Sequence, residues 1–279
     1  RDLRNFIQCV QTLMPDAQAR GKGQVITVTV PGRTVRVASF PISIDFKDFA
    51  QQAASKNVTE CAWYFHADLP DRQTFLSVDR LDYTKGIPER LEAIRNALIR
   101  FPDMRGKATF CQVVVPSREE VPEYQALKAQ IEQLVGEING QFTTPAWAPI
   151  HYIYRCLARD DLLAYYRAAE SVLVTPLKDG MNLVAKEYCA CDIEGNGVIV
   201  LSEFAGAAAQ LQKGALLVNP YDVEGVADAI YRAFTMKKDE RRRRMKKLRQ
   251  SIRKHDIFWW LDSFLSAAFT RHLNDFPRL

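Results

Sequence analysis

From residue 75 onward, short apolar runs alternate with longer stretches in which apolar positions recur every three or four residues. The short runs predict buried strands, and the longer stretches predict amphipathic helices. The predicted strands are 75–78, 109–115, 150–154, 171–175, 198–201 and 216–218, and the predicted helices are 88–101, 121–139, 159–169, 182–190 and 223–235. Because the strands are almost continuously apolar, this alternation predicts a doubly wound α/β domain with a parallel sheet covered on both faces.

The first 45 residues show a different pattern. The chain begins without a methionine and directly in an amphipathic helical pattern, so we expect it to be a fragment of a longer protein. Segments 25–30 and 34–40 then alternate between apolar and polar residues on either side of a Pro-Gly pair. This arrangement is typical of an antiparallel hairpin.

Composition and charge exclude several classes of protein. The chain has no uncharged apolar run of about 18 residues and no secretory signal pattern, which favours a cytoplasmic location without a membrane partner. Much of the net charge of +5 comes from the basic segment 237–254, where Met245, Leu248 and Ile252 recur at helical spacing. This spacing predicts a helix with one solvated face, and we expect no nucleic-acid partner. The cysteine and histidine spacings match no zinc motif, so we also expect no bound metal.

The first candidate site follows the first predicted strand of the α/β pattern. Ligands of doubly wound domains bind in the loops beyond the carboxyl ends of the strands. Here the loop supplies Arg80, with a planar fork suited to phosphate oxygens, and Lys85, a compact ammonium close to a helix N-terminus. Together these two cations suit a diphosphate. An equally open alternative is that Arg80 forms a surface ion pair with Asp79 or Asp82.

The second candidate site follows the predicted strand 171–175. Gly180 permits close backbone approach, and a helix that opens at Asn182 would present free N–H groups to phosphate or sugar oxygens. Asp179 and Glu187 would accept hydrogen bonds from hydroxyl groups. The open alternative is that Asp179 or Asn182 only caps the helix while Glu187 is solvated. Since no P-loop, GxGxxG or GxSxG motif occurs, group transfer from a diphosphate is the concrete hypothesis.

The two candidate loops resemble those of the trehalose-phosphate synthase family of retaining glycosyltransferases. The resemblance rests on SVDRLDYTKG at 77–86 and TPLKDGMNLVAKEY at 175–188. It continues in the same order through PSR at 116–118, EING at 137–140, LSEFAGA at 201–207 and VNPYD at 218–222, and covers most of 40–268.

The resemblance implies an α/β fold of GT-B type, in which two Rossmann-like domains face each other across a cleft. Residues 1–45 would be a remnant of the N-terminal, acceptor-side domain. Residues 46–256 would form the doubly wound, donor-binding C-terminal domain. Residues 257–279 would form a helix that crosses back toward the N-terminal domain.

The resemblance also implies roles for individual residues. Arg80 and Lys85 would be the catalytic residues, because they bind the donor diphosphate and offset the charge that grows on the leaving group. Arg118 would bind the phosphate of the acceptor. Donor contacts would come from Asp179 to the glucose, Glu187 to the ribose, Cys156 and Leu157 beside the base, and the backbone N–H groups of Gly180, Met181, Asn182, Leu183 and Val184.

The implied reaction transfers glucose from a nucleoside diphosphate glucose, with UDP-glucose favoured, to glucose 6-phosphate with retention, giving trehalose 6-phosphate. No cofactor is implied beyond the sugar nucleotide itself, and a homo-oligomer stays open. Two alternatives also stay open. One is a glucosylglycerol-phosphate synthase or a related pseudo-glycosyltransferase, and the other is a non-catalytic nucleotide-sugar-binding or regulatory module. We expect the fragment alone to be inactive.

Overall fold

A computed structural model of the chain describes residues 2–21, 24–68 and 72–270. The described residues form two compact units. One combines Arg1–Asp45 with Lys254–Leu279, and the other is Phe46–Arg253. All of the candidate site residues lie in the second unit.

The described part of the chain contains nine strands and eleven α-helices. The strands are β1 (Gln18–Arg20), β2 (Val25–Val30), β3 (Arg33–Ala38), β4 (Gln73–Arg80), β5 (Ala108–Val115), β6 (Ile150–Tyr154), β7 (Ser171–Val174), β8 (Val198–Ser202) and β9 (Leu216–Val218). The helices are α1 (Asp2–Leu13), α2 (Phe46–Ala53), α3 (Lys56–Asp68), α4 (Ile87–Arg100), α5 (Pro122–Phe142), α6 (Arg159–Ala168), α7 (Val184–Cys191), α8 (Ala208–Leu211), α9 (Val223–Thr235), α10 (Lys238–Lys254) and α11 (Ile257–Phe269).

The smaller unit contains an antiparallel sheet in the order β1-β2-β3. The β2-β3 hairpin was predicted from the sequence and is confirmed, with Val30 paired to Arg33 beside the turn. Helix α11 is fixed at its start, where the backbone N–H of Ile257 donates to Ile44 (2.9 Å). One turn later, Trp260 Nε1 donates to the carbonyl of Phe40 (3.1 Å). These bonds join α11 to the segment that follows the hairpin.

The larger unit contains a parallel sheet in the order β6-β5-β4-β7-β8-β9. The chain runs outward from β4 through β5 to β6, returns to the other side of β4, and runs outward again from β7 to β9. This topology confirms the predicted doubly wound α/β fold. The sheet reverses its order between β4 and β7, and ligands of such folds bind beyond the carboxyl ends of the strands at this switch point.

Helices cover both faces of the sheet, which explains the continuous apolar runs. Helix α4 packs against α5 and α9 in one layer. In a second layer α2, α6 and α7 contact one another, and α3 packs against α2 and α6. All residues of β7 and β8 are buried between these layers. Burial of each large apolar side chain contributes about 1.5–3 kcal/mol, so the central strands form the most stable part of the unit. None of the helices in the described ranges is long and apolar enough to cross a bilayer.

The basic segment near residue 240 forms α10, and its predicted apolar stripe is confirmed by the burial of Met245, Leu248 and Ile252. One arginine of this helix is not solvated as predicted. Arg241 is buried, and its guanidinium donates to the Ala233 carbonyl (2.6 Å). This guanidinium therefore stabilises the C-terminal end of α9 and is not part of the exposed charge.

Gly136, inside α5, provides a test of the helix assignment. A Cβ at this position would meet no atom within 4 Å. Because glycine loses more backbone entropy than alanine in a helix, we expect Gly136→Ala to raise the free energy of unfolding by about 0.5–1 kcal/mol in urea denaturation. Gly140→Ala, in equally open surroundings of the same helix, should act in the same direction. A loss of stability in both variants would contradict the helix.

Candidate functional site

The candidate site is built from the loops that follow β4 and β7, which are neighbours in the sheet. The two loops are hydrogen-bonded to each other through their main chains. The carbonyl of Thr84 in the first loop accepts from the N–H groups of Leu177 (2.8 Å) and Lys178 (3.2 Å) in the second. Each loop therefore fixes the position of the other.

Gly86 allows this close approach of the two loops. It has a φ of 63°, in the left-handed region that favours glycine, and a Cβ there would lie 2.7 Å from the carbonyl oxygen of Thr175. The glycine of the first motif is thus required by the second loop.

A third loop, after β8, contacts the far side of the second loop. The N–H of Gly206 donates to the carbonyl of Asp179 (2.7 Å), and Asp179 forms a parallel bridge with Ala205. A Cβ at Gly206 would overlap the carbonyl oxygen of Gly180. The loop that contains Asp179 is thus bonded to the loop after β4 on one side and to the loop after β8 on the other, and these bonds fix its backbone.

Arg90, on α4, connects two neighbouring strands, β4 and β5, with the loop that follows β7. Its buried guanidinium donates through Nη1 to Asp79 Oδ2 (2.6 Å) and to Gln112 Oε1 (3.2 Å). Through Nε it donates to Thr175 Oγ1 (2.8 Å), and through Nη2 to the carbonyl of Lys85 (3.1 Å). Arg90 lies close behind the first motif, but nothing in the sequence distinguishes it from an ordinary charged residue of a helix.

Lys85 and Asp179, predicted in separate loops, form an ion pair with Nζ 2.7 Å from Oδ2. Their side chains are only 15% and 14% exposed. Burial alone would raise the pKa of Asp179, but the hydrogen bond and charge of Lys85, together with donors from Met181 and Asn182, hold that pKa below its ordinary value. The carboxylate is therefore ionised and fixed at the point where the two loops meet.

The start of α7 differs from the prediction. We expected the helix to open at Asn182, whereas α7 begins at Val184. Asn182 has a φ of 51°, and this left-handed conformation cannot continue a right-handed helix. Its side-chain oxygen accepts from the N–H of Ala185 (3.3 Å), so Asn182 binds the first turn from one residue before the N-cap, Leu183.

The exposed Arg80 ends β4. The alternative of a surface ion pair with Asp79 or Asp82 is wrong for a specific reason. Asp79 is bound to the guanidinium described above, and Asp82 accepts from the backbone (2.8 Å) and the hydroxyl (2.7 Å) of Thr84. Within the described part of the chain, the Arg80 guanidinium has no hydrogen-bond or ion-pair partner, so it is available to an anionic ligand.

Glu187 lies in the first turn of α7 and is not freely solvated. Its Oε2 accepts a hydrogen bond from the hydroxyl of the buried Tyr166 on α6 (2.9 Å). Burial raises the pKa of Glu187, while the Tyr166 hydrogen bond and the charge of Arg159 oppose the rise. Cys156 and Leu157 precede α6, the helix that carries Tyr166. Tyr166 was not found from the sequence, because an aromatic residue in an amphipathic helix is indistinguishable from a core residue.

Arg118 lies in the loop after β5. The alternative pairing with Glu119 or Glu120 is wrong, because Nη1 of Arg118 donates to the hydroxyl of Tyr124 (3.2 Å) and the guanidinium lies over the Tyr124 ring. Arg118 has a φ of 49°, and such strain in a non-glycine residue clusters at functional sites. Tyr124 also meets Tyr83 of the first loop edge to face.

The structure thus brings Lys85, Asp179 and Asn182 into direct contact and places Arg80 at the end of the adjoining strand. Arg118 lies one strand further along the same edge of the sheet, and the Cys156–Leu157 segment follows the strand beyond. Among the described residues, no three His, Cys, Asp or Glu side chains form a group suited to a metal ion.

Residues 1–269 match the model of Glycosyltransferase family 20. The chain belongs to this family. It is 44% identical over 269 residues to a trehalose-6-phosphate synthase of Mycobacterium leprae (strain TN), a match that covers 95% of this chain and 54% of that protein. A trehalose-6-phosphate synthase of Mycobacterium marinum is 42% identical over 277 residues, with 98% and 55% covered. The chain therefore spans about half the length of the curated relatives it matches.

Solved structures of trehalose-phosphate synthases share the fold. The chain superimposes with a TM-score of 0.87 and 39% identity on a UDP-forming α,α-trehalose-phosphate synthase from Burkholderia xenovorans in complex with glucose-6-phosphate, over 95% of this chain and 58% of that one. For an E. coli structure bound with UDP-2-fluoro glucose, the TM-score is 0.85 and the identity 39%, over 94% and 57%. The family resemblance seen in the motifs is confirmed.

The arrangement around Arg90 predicts a large effect of its removal. Arg90→Met should lower the free energy of unfolding by about 3–5 kcal/mol in urea denaturation, because Asp79 is left as an uncompensated buried charge. Arg100→Met is the matched control on the same helix, since Arg100 pairs with the exposed Asp228. We expect that control to cost less than about 1 kcal/mol. Equal effects of the two substitutions would contradict the role given to Arg90.

Proposed function

We propose that this chain carries the donor-binding part of a retaining glucosyltransferase that transfers glucose from UDP-glucose to glucose 6-phosphate and produces trehalose 6-phosphate. The observation that carries the proposal is the Lys85–Asp179 pair at the switch point of the sheet, in a loop that begins after Arg80, which is unpartnered among the described residues, at the end of β4. Relatives named as UDP-forming trehalose-phosphate synthases, with sugar nucleotide or glucose-6-phosphate bound, support this choice. They do not favour the glycerol-phosphate or non-catalytic alternatives.

Arg80 and Lys85 are proposed to bind the donor diphosphate. When the bond between glucose and the diphosphate breaks, its electron pair goes to the phosphate oxygen, and negative charge grows there. Lys85 is already held in position and stabilises this charge without reorganisation during the reaction, and Arg80 has no partner among the described residues to give up before it binds the phosphate oxygens. Lys85 is held both by its carbonyl, through Arg90, and by its ammonium, through Asp179.

Asp179 is proposed to bind hydroxyl groups of the donor glucose. Its ionised carboxylate is a strong acceptor, and the bond from Lys85 places it next to the proposed diphosphate site. The other donor contacts proposed are Glu187 with the ribose, Cys156 and Leu157 beside the base, and the backbone of Gly180, Met181, Asn182, Leu183 and Val184 with sugar and phosphate oxygens.

Arg118 is proposed to bind the phosphate of the acceptor sugar. Its strained backbone and the Tyr124 contact hold the guanidinium in one orientation, and Tyr83 links that contact to the loop that carries Lys85. Because the chain spans about half of its relatives' length, turnover is proposed for a protein that includes more than these residues. A cytoplasmic location and the lack of a metal cofactor stay predictions from the sequence.

Calorimetric titration with UDP, UDP-glucose and ADP-glucose tests the donor site. We expect saturable binding of the uridine ligands, and about a 10-fold or greater loss of UDP affinity in Arg80→Ala, because a charge-assisted contact to phosphate is removed. Arg243→Ala, an exposed arginine on α10, is the control that should bind UDP like the original chain. Unchanged UDP affinity in Arg80→Ala, or no binding to a folded chain, would contradict the proposal.

The acceptor assignment makes a separate prediction. With UDP present, Arg118→Ala should weaken binding of glucose 6-phosphate by about 10-fold or more and leave UDP affinity unchanged, since the charged contact reaches only the acceptor phosphate. The exposed Arg155, on the next loop of the same edge, supplies the control Arg155→Ala. Calorimetry with glucose 6-phosphate and with glucose separates the phosphate contact from sugar contacts. An equal loss for both sugars would argue against the assignment.

A further inference from the structure

We propose that Tyr166 is a positioning residue that orients Glu187 toward the nucleotide ribose and thereby makes the site prefer ribonucleotides over 2′-deoxyribonucleotides. The proposal rests on the function proposed above, in which Glu187 binds the ribose hydroxyls. Tyr166 itself touches no ligand in this account and acts through the carboxylate.

The geometry of the pair carries the inference. Tyr166 is fully buried on α6, and its hydroxyl donates to Oε2 of Glu187 at 2.9 Å. The other carboxylate oxygen, Oε1, accepts no hydrogen bond within the described part of the chain. One oxygen of Glu187 is therefore held by the protein, and the second is left for a ligand hydroxyl.

A fixed carboxylate suits recognition of a ribose diol. A free glutamate side chain loses rotamer entropy when it binds, which costs about 0.5–1.5 kcal/mol for a flexible side chain. The bond to Tyr166 restricts Glu187 before the ligand arrives and so reduces this loss. Because Tyr166 lies on α6 and Glu187 on α7, two helices that pack against each other, the direction of the carboxylate is set by helices and not by a loop.

The charge state of the pair is consistent with this role. Burial disfavours ionised Glu187 and raises its pKa, while the Tyr166 hydrogen bond and the nearby Arg159 favour the ionised form, the stronger acceptor of sugar hydroxyls. Burial, together with the charge of Glu187, raises the pKa of Tyr166 well above its ordinary value. Tyr166 therefore stays protonated and remains a donor.

Helix α6 also connects the two ends of the proposed nucleoside site. It begins at Arg159, directly after the Cys156–Leu157 segment proposed to lie beside the base, and reaches Tyr166 about two turns later. The positions of the base contacts and of the ribose contact are thus set by the same helix.

The chain offers a matched control in Tyr188. This tyrosine is also fully buried, meets the Tyr166 ring edge to face, and donates its hydroxyl to the carbonyl of Ala169 (2.9 Å) instead of to Glu187. Tyr166→Phe and Tyr188→Phe each remove one buried hydroxyl from the same region. Only the first removes a contact of Glu187, the residue proposed to bind the ribose.

The experiment compares the Kd values of UDP and 2′-deoxy-UDP by calorimetry for the original chain and both variants. We expect the original chain and Tyr188→Phe to bind UDP about 10-fold or more tightly than 2′-deoxy-UDP, because the deoxy ligand lacks a hydroxyl that the carboxylate binds. In Tyr166→Phe this ratio should fall to about 3-fold or less, through weaker UDP binding with nearly unchanged 2′-deoxy-UDP binding. If Tyr166 had a purely structural role, Tyr166→Phe would lower the affinity for both ligands by the same factor.

Each result separates the two proposals. If the preference for UDP over 2′-deoxy-UDP is the same in Tyr166→Phe as in Tyr188→Phe, the role of Tyr166 is overturned. The proposed function still stands in that case, provided that the original chain binds UDP. If the folded original chain does not bind UDP, the proposed function fails, and this inference fails with it. Glu187→Asp covers the case in which Tyr166→Phe does not fold. It withdraws the carboxylate from the Tyr166 hydroxyl, and a preserved ratio there would also overturn the proposal.

Discussion

A buried guanidinium, that of Arg90, holds together strand β4, strand β5 and the residue that follows β7. Its hydrogen bonds reach Asp79, Gln112, Thr175 and the carbonyl of Lys85. Since four oxygen acceptors are bound by one buried guanidinium, the two candidate loops keep one relative position. The same contact pairs the charge of Asp79.

The loops around this guanidinium carry the proposed diphosphate site, and the Lys85–Asp179 pair in it is arranged before any ligand binds. Lys85 is held at both ends, Asp179 is kept ionised by its donors, and Gly86 lets the two loops approach. Electrostatic stabilisation of a leaving diphosphate depends on such preorganised charges more than on any single reactive group. The flanking residue Arg118 extends the edge toward the proposed acceptor.

The doubly wound sheet was predictable because its strands are buried on both faces and so form continuous apolar runs. β1 was missed because three residues are too few for an alternating pattern. The two loops were found from their charged residues and glycines, but Arg90 looked like an ordinary charged residue of a helix. The left-handed backbone of Asn182, which moves the start of α7 to Val184, depends on contacts with neighbouring loops and has no signal in the apolar periodicity.

In the proposed function, Arg90 and the Lys85–Asp179 pair hold a diphosphate site in place at the switch point of the sheet. A crystal structure of the chain with UDP bound tests it most directly. The account predicts the diphosphate against the Arg80 guanidinium, the ribose at Glu187, and loop backbones that move by less than about 1 Å on binding. A diphosphate bound elsewhere, for instance among the exposed arginines of α10, or loops that rearrange to admit it, would contradict the account.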